Sequence, residues 1–233
     1  MSVVDLATTP LRELNAALHA LPADSNDTRW TIRNPRGQHA VAVGIDAPIA
    51  VEIEGHVGYY CAGMNQQASV TINGNAGVGL AENMMSGEVR VTGDASQSAG
   101  ATAHGGTLVI GGNASARCGI SLKGADIIVK GSVGHMSAFM AQAGNLVVLG
   151  DAGEALGDSL YEACLYVRGT VASLGADCVE KEMTEEHQAK LAALLAKAEV
   201  NGNGTGGVDV GDFRRYGSAR ELYHFKIDNV GAY

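Results

Sequence analysis

"VTINGNAGVGLAENMMSGE", Val70 to Glu88, carries in its first half Gly74, Gly77 and Gly79, which look like a phosphate cradle. The flanking chain gives them another meaning. Cut every nineteen residues from Val51, it falls into seven ungapped units, from "VEIEGHVGYYCAGMNQQAS" to "LYVRGTVASLGADCVEKEM", ending at Met183. The first column is Val51, Val70, Val89, Leu108, Ile127, Leu146 and Leu165, and the third is Ile53, Ile72, Val91, Ile110, Val129, Val148 and Val167. The fifth is glycine throughout: Gly55, Gly74, Gly93, Gly112, Gly131, Gly150 and Gly169. Column seven holds only Val or Ala, and column twelve only Ala or Gly.

A unit this short cannot bury its own apolar face, so it stacks on its neighbours. Aliphatic residues at the first and third positions define a strand with both side chains turned into one core. The glycine two residues later marks a corner, where positive φ is expected. The sixth position, His56, Asn75, Asp94, Asn113, Ser132, Asp151 and Thr170, is polar and suited to a ladder that satisfies backbone groups between coils. The fold class is therefore an all-β solenoid, a right-handed parallel β-helix of about seven coils. A leucine-rich horseshoe would need an LxxLxL pattern and an Asn column, which the units lack. No Lys-Ser/Thr follows the glycines as a phosphate loop demands.

The flanks differ in kind. Asp5 to Leu21 reads as a helix, with Thr9 as cap, Pro10 at the first helical position and Leu11, Leu14, Leu18 and Leu21 on one face. Residues 1–30 thus form a helix and lead-in. Thr31 to Ile49 reads as an irregular leading coil, so the β-helix as a whole spans 31–183. Thr184 to Val200 reads as a helix capping the second end of the rod, 201–208 as a glycine-rich linker, and 209–233 as an aromatic docking tail. That tail places Phe213, Tyr216, Tyr223 and Phe225 beside Arg214, Arg215 and Arg220, and such enrichment marks interface hot spots; the alternative is that the segment folds back along a flank of its own β-helix and covers a sheet edge. Deleting 208–233 is expected to leave the rod's thermal unfolding nearly unchanged.

Composition narrows the function classes. Glycine is 32 of 233 residues, the net charge is −9 and aromatics are few. An acidic chain lacks the positive field that nucleic acid or a membrane surface requires. No apolar run approaches the ~20 residues of a spanning helix. Arg12 is the first basic residue and no cleavable apolar segment follows it, so a cytoplasmic protein is expected. Cys61, Cys118, Cys164 and Cys178 form no CxxC or zinc pattern and read as reduced, packed thiols. His56 and His135 occupy different columns several coils apart and have no partner at ligand spacing. Met84, Met85, Met136 and Met140 read as packing residues. No catalytic, cofactor-binding or metal-binding residue stands out, and the chain alone is expected to bind no cofactor or metal.

The nineteen-residue glycine-column repeats, preceded by "LRELNAALHAL" and "IRNPRGQHAVAVGI", resemble the GXGXG domain, the C-terminal β-helix of the glutamate synthase large subunit. As a free-standing chain this one looks most like the small β-helical subunit of N-methylglutamate synthase and related glutamate synthase-like complexes. The β-helical subunit of formylmethanofuran dehydrogenase, and that of its formyltransferase/hydrolase counterpart, is the alternative. The resemblance implies a noncatalytic subunit that braces a class II glutamine amidotransferase-like subunit and a subunit holding FMN and an iron–sulfur cluster, the heterotrimer building a higher oligomer. The implied reaction forms N-methylglutamate from methylamine and glutamate. Ser2 stands where an amidotransferase exposes cysteine. The C1-transfer alternative implies a basic groove for a polyglutamate tail, against which the acidic balance counts.

Overall fold

The repeat columns become stacked ladders. A computed structural model describes residues 1–22, 25, 28–200 and 207–220. Its elements are β1 (Ser2–Asp5), α1 (Leu11–His19), β2 (Arg29–Arg33), β3 (Ala50–Glu54), β4 (Ser69–Asn73), β5 (Glu88–Val91), β6 (Thr107–Ile110), β7 (Lys123–Val129), β8 (Ala143–Val148), β9 (Cys164–Val167), β10 (Cys178–Lys181), α2 (Glu185–Lys197) and β11 (Arg214–Ser218). Strands β1 to β9 pair in parallel, each with the next, and the register Val51↔Val70, Val70↔Val89, Val89↔Leu108 follows the nineteen-residue cut. The first and third columns turn inward, and none of their residues is more than 2% exposed. The chain is a parallel β-solenoid of about seven coils with two helices, as the periodicity predicts.

Column five shows why glycine is required. Only Gly55 has positive φ, at 132°, so the expected left-handed corner is not the general reason. A Cβ on Gly74 would stand 2.7 Å from the carbonyl carbon of Gly55, and one on Gly93 would stand 2.0 Å from Asn75 Oδ1. Coils approach too closely here for any side chain. One position on, the polar column forms the predicted ladder. Asn75 N–H donates to His56 Nδ1 at 2.9 Å, Asp94 N–H to Asn75 Oδ1 at 2.9 Å, and Asn113 N–H to Asp94 Oδ1 at 2.7 Å. The series continues through Asn113, Ser132 and Asp151 to the amide of Thr170. Column seven then stacks as a line of single bridges from Val57 to Val171.

Left-handed backbone appears instead on the side opposite the strands. Columns ten, twelve and fourteen take positive φ, as in Tyr60, Ala62 and Met64, then Gly79, Ala81 and Asn83. Alternating the conformation points successive amides along the rod in opposite directions. Ala81 N–H donates back to Cys61 O at 2.9 Å and Asn83 N–H forward to Ala101 O at 2.9 Å. The strain of each left-handed residue, roughly 1–2 kcal/mol, is offset by these coil-to-coil bonds. The small residues of column twelve therefore reflect backbone conformation as well as a narrow interior.

Both ends differ from the sequence expectation. The amino-terminal segment is not helical from Asp5: residues 2–5 extend the sheet beside β2, and α1 begins at Leu11 with Pro10, not Thr9, at the N-cap. The chain between them is a turn in which Thr9 N–H donates to Asp5 O. The leading coil is regular at its strand, with β2 pairing β3 from Arg29↔Ala50 to Arg33↔Glu54. Helix α1 buries Leu14 and Leu18 against that coil, and Asn15 substitutes for a preceding coil's backbone. Its Nδ2 donates to Ala40 O at 2.8 Å and its Oδ1 accepts from Ala42 N–H at 3.1 Å.

Helix α2 starts at the predicted Thr184 cap but lies along the flank of the sheet instead of across the rod's end. Leu191, Leu194, Leu195 and Ala198 bury the outward residues Val109, Ile128, Val147 and Tyr166. Arg90 donates to Lys197 O at 2.6 Å, and Lys197 Nζ meets Asp126 Oδ2 at 3.0 Å, so the helix runs back toward the earlier coils. The last coil is short, with Cys178 only 14 positions after Cys164 (178 − 164). Strand β11 enters the space between β9 and β10 and pairs antiparallel with both. Residues 214–218 are thus part of the sheet, which corrects their reading as a docking tail; 221–233 lie outside the described residues.

Candidate functional site

Chemistry-bearing side chains are distributed along the rod and mostly engaged by it. His56 opens the polar ladder by accepting the Asn75 amide. His39, one coil earlier, accepts Tyr59 N–H at 2.9 Å while its ring stacks on Tyr59 with centroids 4.4 Å apart. His135 is exposed on the left-handed side, four coils beyond His56. Among the described residues no three His, Cys, Asp or Glu side chains are grouped to hold a metal ion.

The thiols are packing groups. Cys61, Cys118 and Cys178 are buried and Cys164 is half-buried, all free. Burial pushes the Cys61 and Cys118 thiols up to about 12 and that of Cys178 to about 11. At neutral pH they carry negligible thiolate, the form that attacks or ligates. The methionines divide differently from the expectation. Met84 is fully buried, whereas Met85 and Met140 are 46% and 40% exposed, because columns fourteen and sixteen lie outside the core.

A polar groove of about 490 Å³ lies beside the last coil, lined by Asp151, Arg168, Thr170, Asp212 and Arg214. Its acids are already partnered. Asp151 Oδ1 accepts from the Thr170 amide at 2.7 Å and hydroxyl at 2.8 Å, which holds its carboxyl below the ordinary carboxylate range. Arg168 Nε meets Asp212 Oδ2 at 3.3 Å. These contacts finish the ladder and fasten the segment ahead of β11.

The left-handed side presents a different surface. Column thirteen reads Gly63, Glu82, Ala101, Ile120, Phe139, Asp158 and Asp177, apolar in the middle with acidic residues before and after it. Ile120 and Phe139 sit in adjacent coils, joined by the bond from Ser121 N–H to Phe139 O at 2.8 Å. Met136 and Met140 flank Phe139. Ile120, Met136 and Phe139 are half-buried, and none of the four joins either apolar cluster of the described residues. The sequence reading named Met136 and Met140 but missed Ile120 and Phe139, although the middle of column thirteen carried the signal.

Rigid coils, polar ladders and a capped first end define a parallel β-solenoid protein whose surfaces are flat faces and shallow grooves. The chain belongs to the GlxC family: it is 65% identical over 233 residues to Protein GlxC of Rhizobium meliloti (strain 1021), covering 100% of both chains. No family model matches the sequence. Among the described residues no helix is long and apolar enough to cross a membrane.

Proposed function

We propose that the chain is the noncatalytic β-helical subunit of a multi-subunit, FMN-dependent glutamate synthase-like enzyme, with N-methylglutamate synthase as the particular activity. In this reading it braces a glutamine amidotransferase-like subunit against a subunit that holds FMN and an iron–sulfur cluster, and the chemistry belongs to those partners. The observation that carries it is the continuity of the rod. Glycine contacts and the ladder from His56 to Thr170 join coil to coil, building a stiff element whose polar side chains are engaged in holding it together. Support also comes from the order of parts behind the GXGXG resemblance: a leading helix, the "NPRGQH" turn and then the glycine-column coils.

The test is enzymatic. The full-length chain, tagged and purified from its own cells, is assayed for glutamine hydrolysis and for formation of N-methylglutamate from methylamine. The reading expects both activities in the fraction that contains this chain, and loss of the second when the chain is deleted. Retention of the full rate in the deletion strain overturns it.

A further inference from the structure

We infer that the centre of the left-handed side, built on Ile120, Met136, Phe139 and Met140, docks a different polypeptide whose contact face is apolar in the middle and basic around it. The inference rests on the bracing reading and names the surface through which bracing occurs. Ile120 and Phe139 stack ~4.8 Å apart in adjacent coils and stand outside both apolar clusters of the described residues. One of the chain's three phenylalanines therefore contributes to a surface instead of the core. Arg117, exposed in the coil before Met136, adds a cation to the patch. Phe, Met and Arg are enriched in interface centres, while Lys and Glu are depleted there.

Charge selects the occupant. Glu82 lies two coils before Ile120, and Glu154 and Asp158 lie in the coil after Phe139, Asp158 there accepting from the Ser159 hydroxyl and the Ala176 amide. The chain carries −9 overall. Two copies meeting through this face would place those carboxylates on one shared rim between like-charged bodies. A partner with lysines or arginines around its own apolar centre satisfies both features. The backbone beneath is fixed by coil-to-coil bonds, so little ordering cost opposes association.

The experiment uses the full-length tagged chain purified from its own cells with its bound subunits, identified by mass and flavin absorbance. Phe139→Asp and Met140→Asp place a charge at the patch, and Thr71→Asp places one on the opposite, strand side. Circular dichroism and thermal midpoint verify each fold, and Met140→Asp covers the case in which Phe139→Asp unfolds. The expected result is partner affinity lowered roughly 30-fold or more by the two patch variants and unchanged by Thr71→Asp. If wild type carries flavin-containing partners and both folded patch variants keep them, the surface assignment is overturned while the bracing reading stands. A wild-type chain that purifies alone overturns both. Self-dimers dispersed by the patch variants show that a second copy occupies the face, which overturns the occupant.

Discussion

A glycine in column five and a polar residue in column six act together. A Cβ on Gly93 would meet Asn75 Oδ1 at 2.0 Å and Gly74 O at 2.8 Å, displacing the carboxamide that accepts the Asp94 amide. Gly93→Ala is expected to lower stability by about 2–4 kcal/mol, combining overpacking with a lost hydrogen bond. Gly37 is the comparison: φ is +71° but a Cβ meets nothing within 4 Å, so Gly37→Ala should cost only about 1–2 kcal/mol of backbone strain. Urea midpoints of the two variants check this order. Asp151 supplies a pH test. Its folded carboxyl is held below its ordinary 3.8 by the Thr170 amide first and hydroxyl second, so its contribution is full above that value and is lost as pH falls through the lower folded value. Asn75 and Asn113 already serve in this column, so Asp151→Asn should keep the bond near neutrality. The wild-type advantage in thermal midpoint should shrink as pH falls through 3.8 toward the lower folded value. An advantage constant over that range contradicts the assignment.

At the scale of elements, legibility followed periodicity. Columns one and three predicted inward strands because alternation reports which face is buried, and column six predicted its ladder because short polar side chains reach backbone amides. The outer face was equally written, though less directly. Column two passes from Glu52, Thr71 and Arg90 to Val109, Ile128, Val147 and Tyr166, and that change marks where α2 lies. Strand β11 was hidden for another reason. Its place depends on the short last coil and on two antiparallel pairings distant in sequence, so no local pattern announces it. The consequence for truncation reverses the sequence expectation. Ending the chain at residue 206 removes β11 with the buried Phe213 and Tyr216 and leaves β10 without its sheet neighbour. Stability should fall by at least about 3 kcal/mol, since truncating one buried aromatic to Ala alone costs about that. An unchanged thermal midpoint contradicts this placement.

For the molecule as a whole, the sequence made the rod legible and its ends less so. Stacking repeats dictate a solenoid, but how each end is closed depends on parts unique to it: Asn15 reaching Ala40 and Ala42, and Arg220 Nε donating to Asp177 Oδ2 at 2.9 Å while its guanidinium lies over the Tyr161 ring. The candidate surface was hard to read because Ile120 and Phe139 resemble core residues until the left-handed backbone turns column thirteen outward. A stiff rod with an apolar centre on one face is suited to holding other subunits at fixed separation. The mass of the intact native assembly tests it most directly. Isolated through a tag on this chain, the assembly should weigh an integral multiple of one copy of this subunit plus one flavin-containing and one amidotransferase-like subunit. A mass equal to the chain alone, in extracts where the other two are present and joined to each other, contradicts the account.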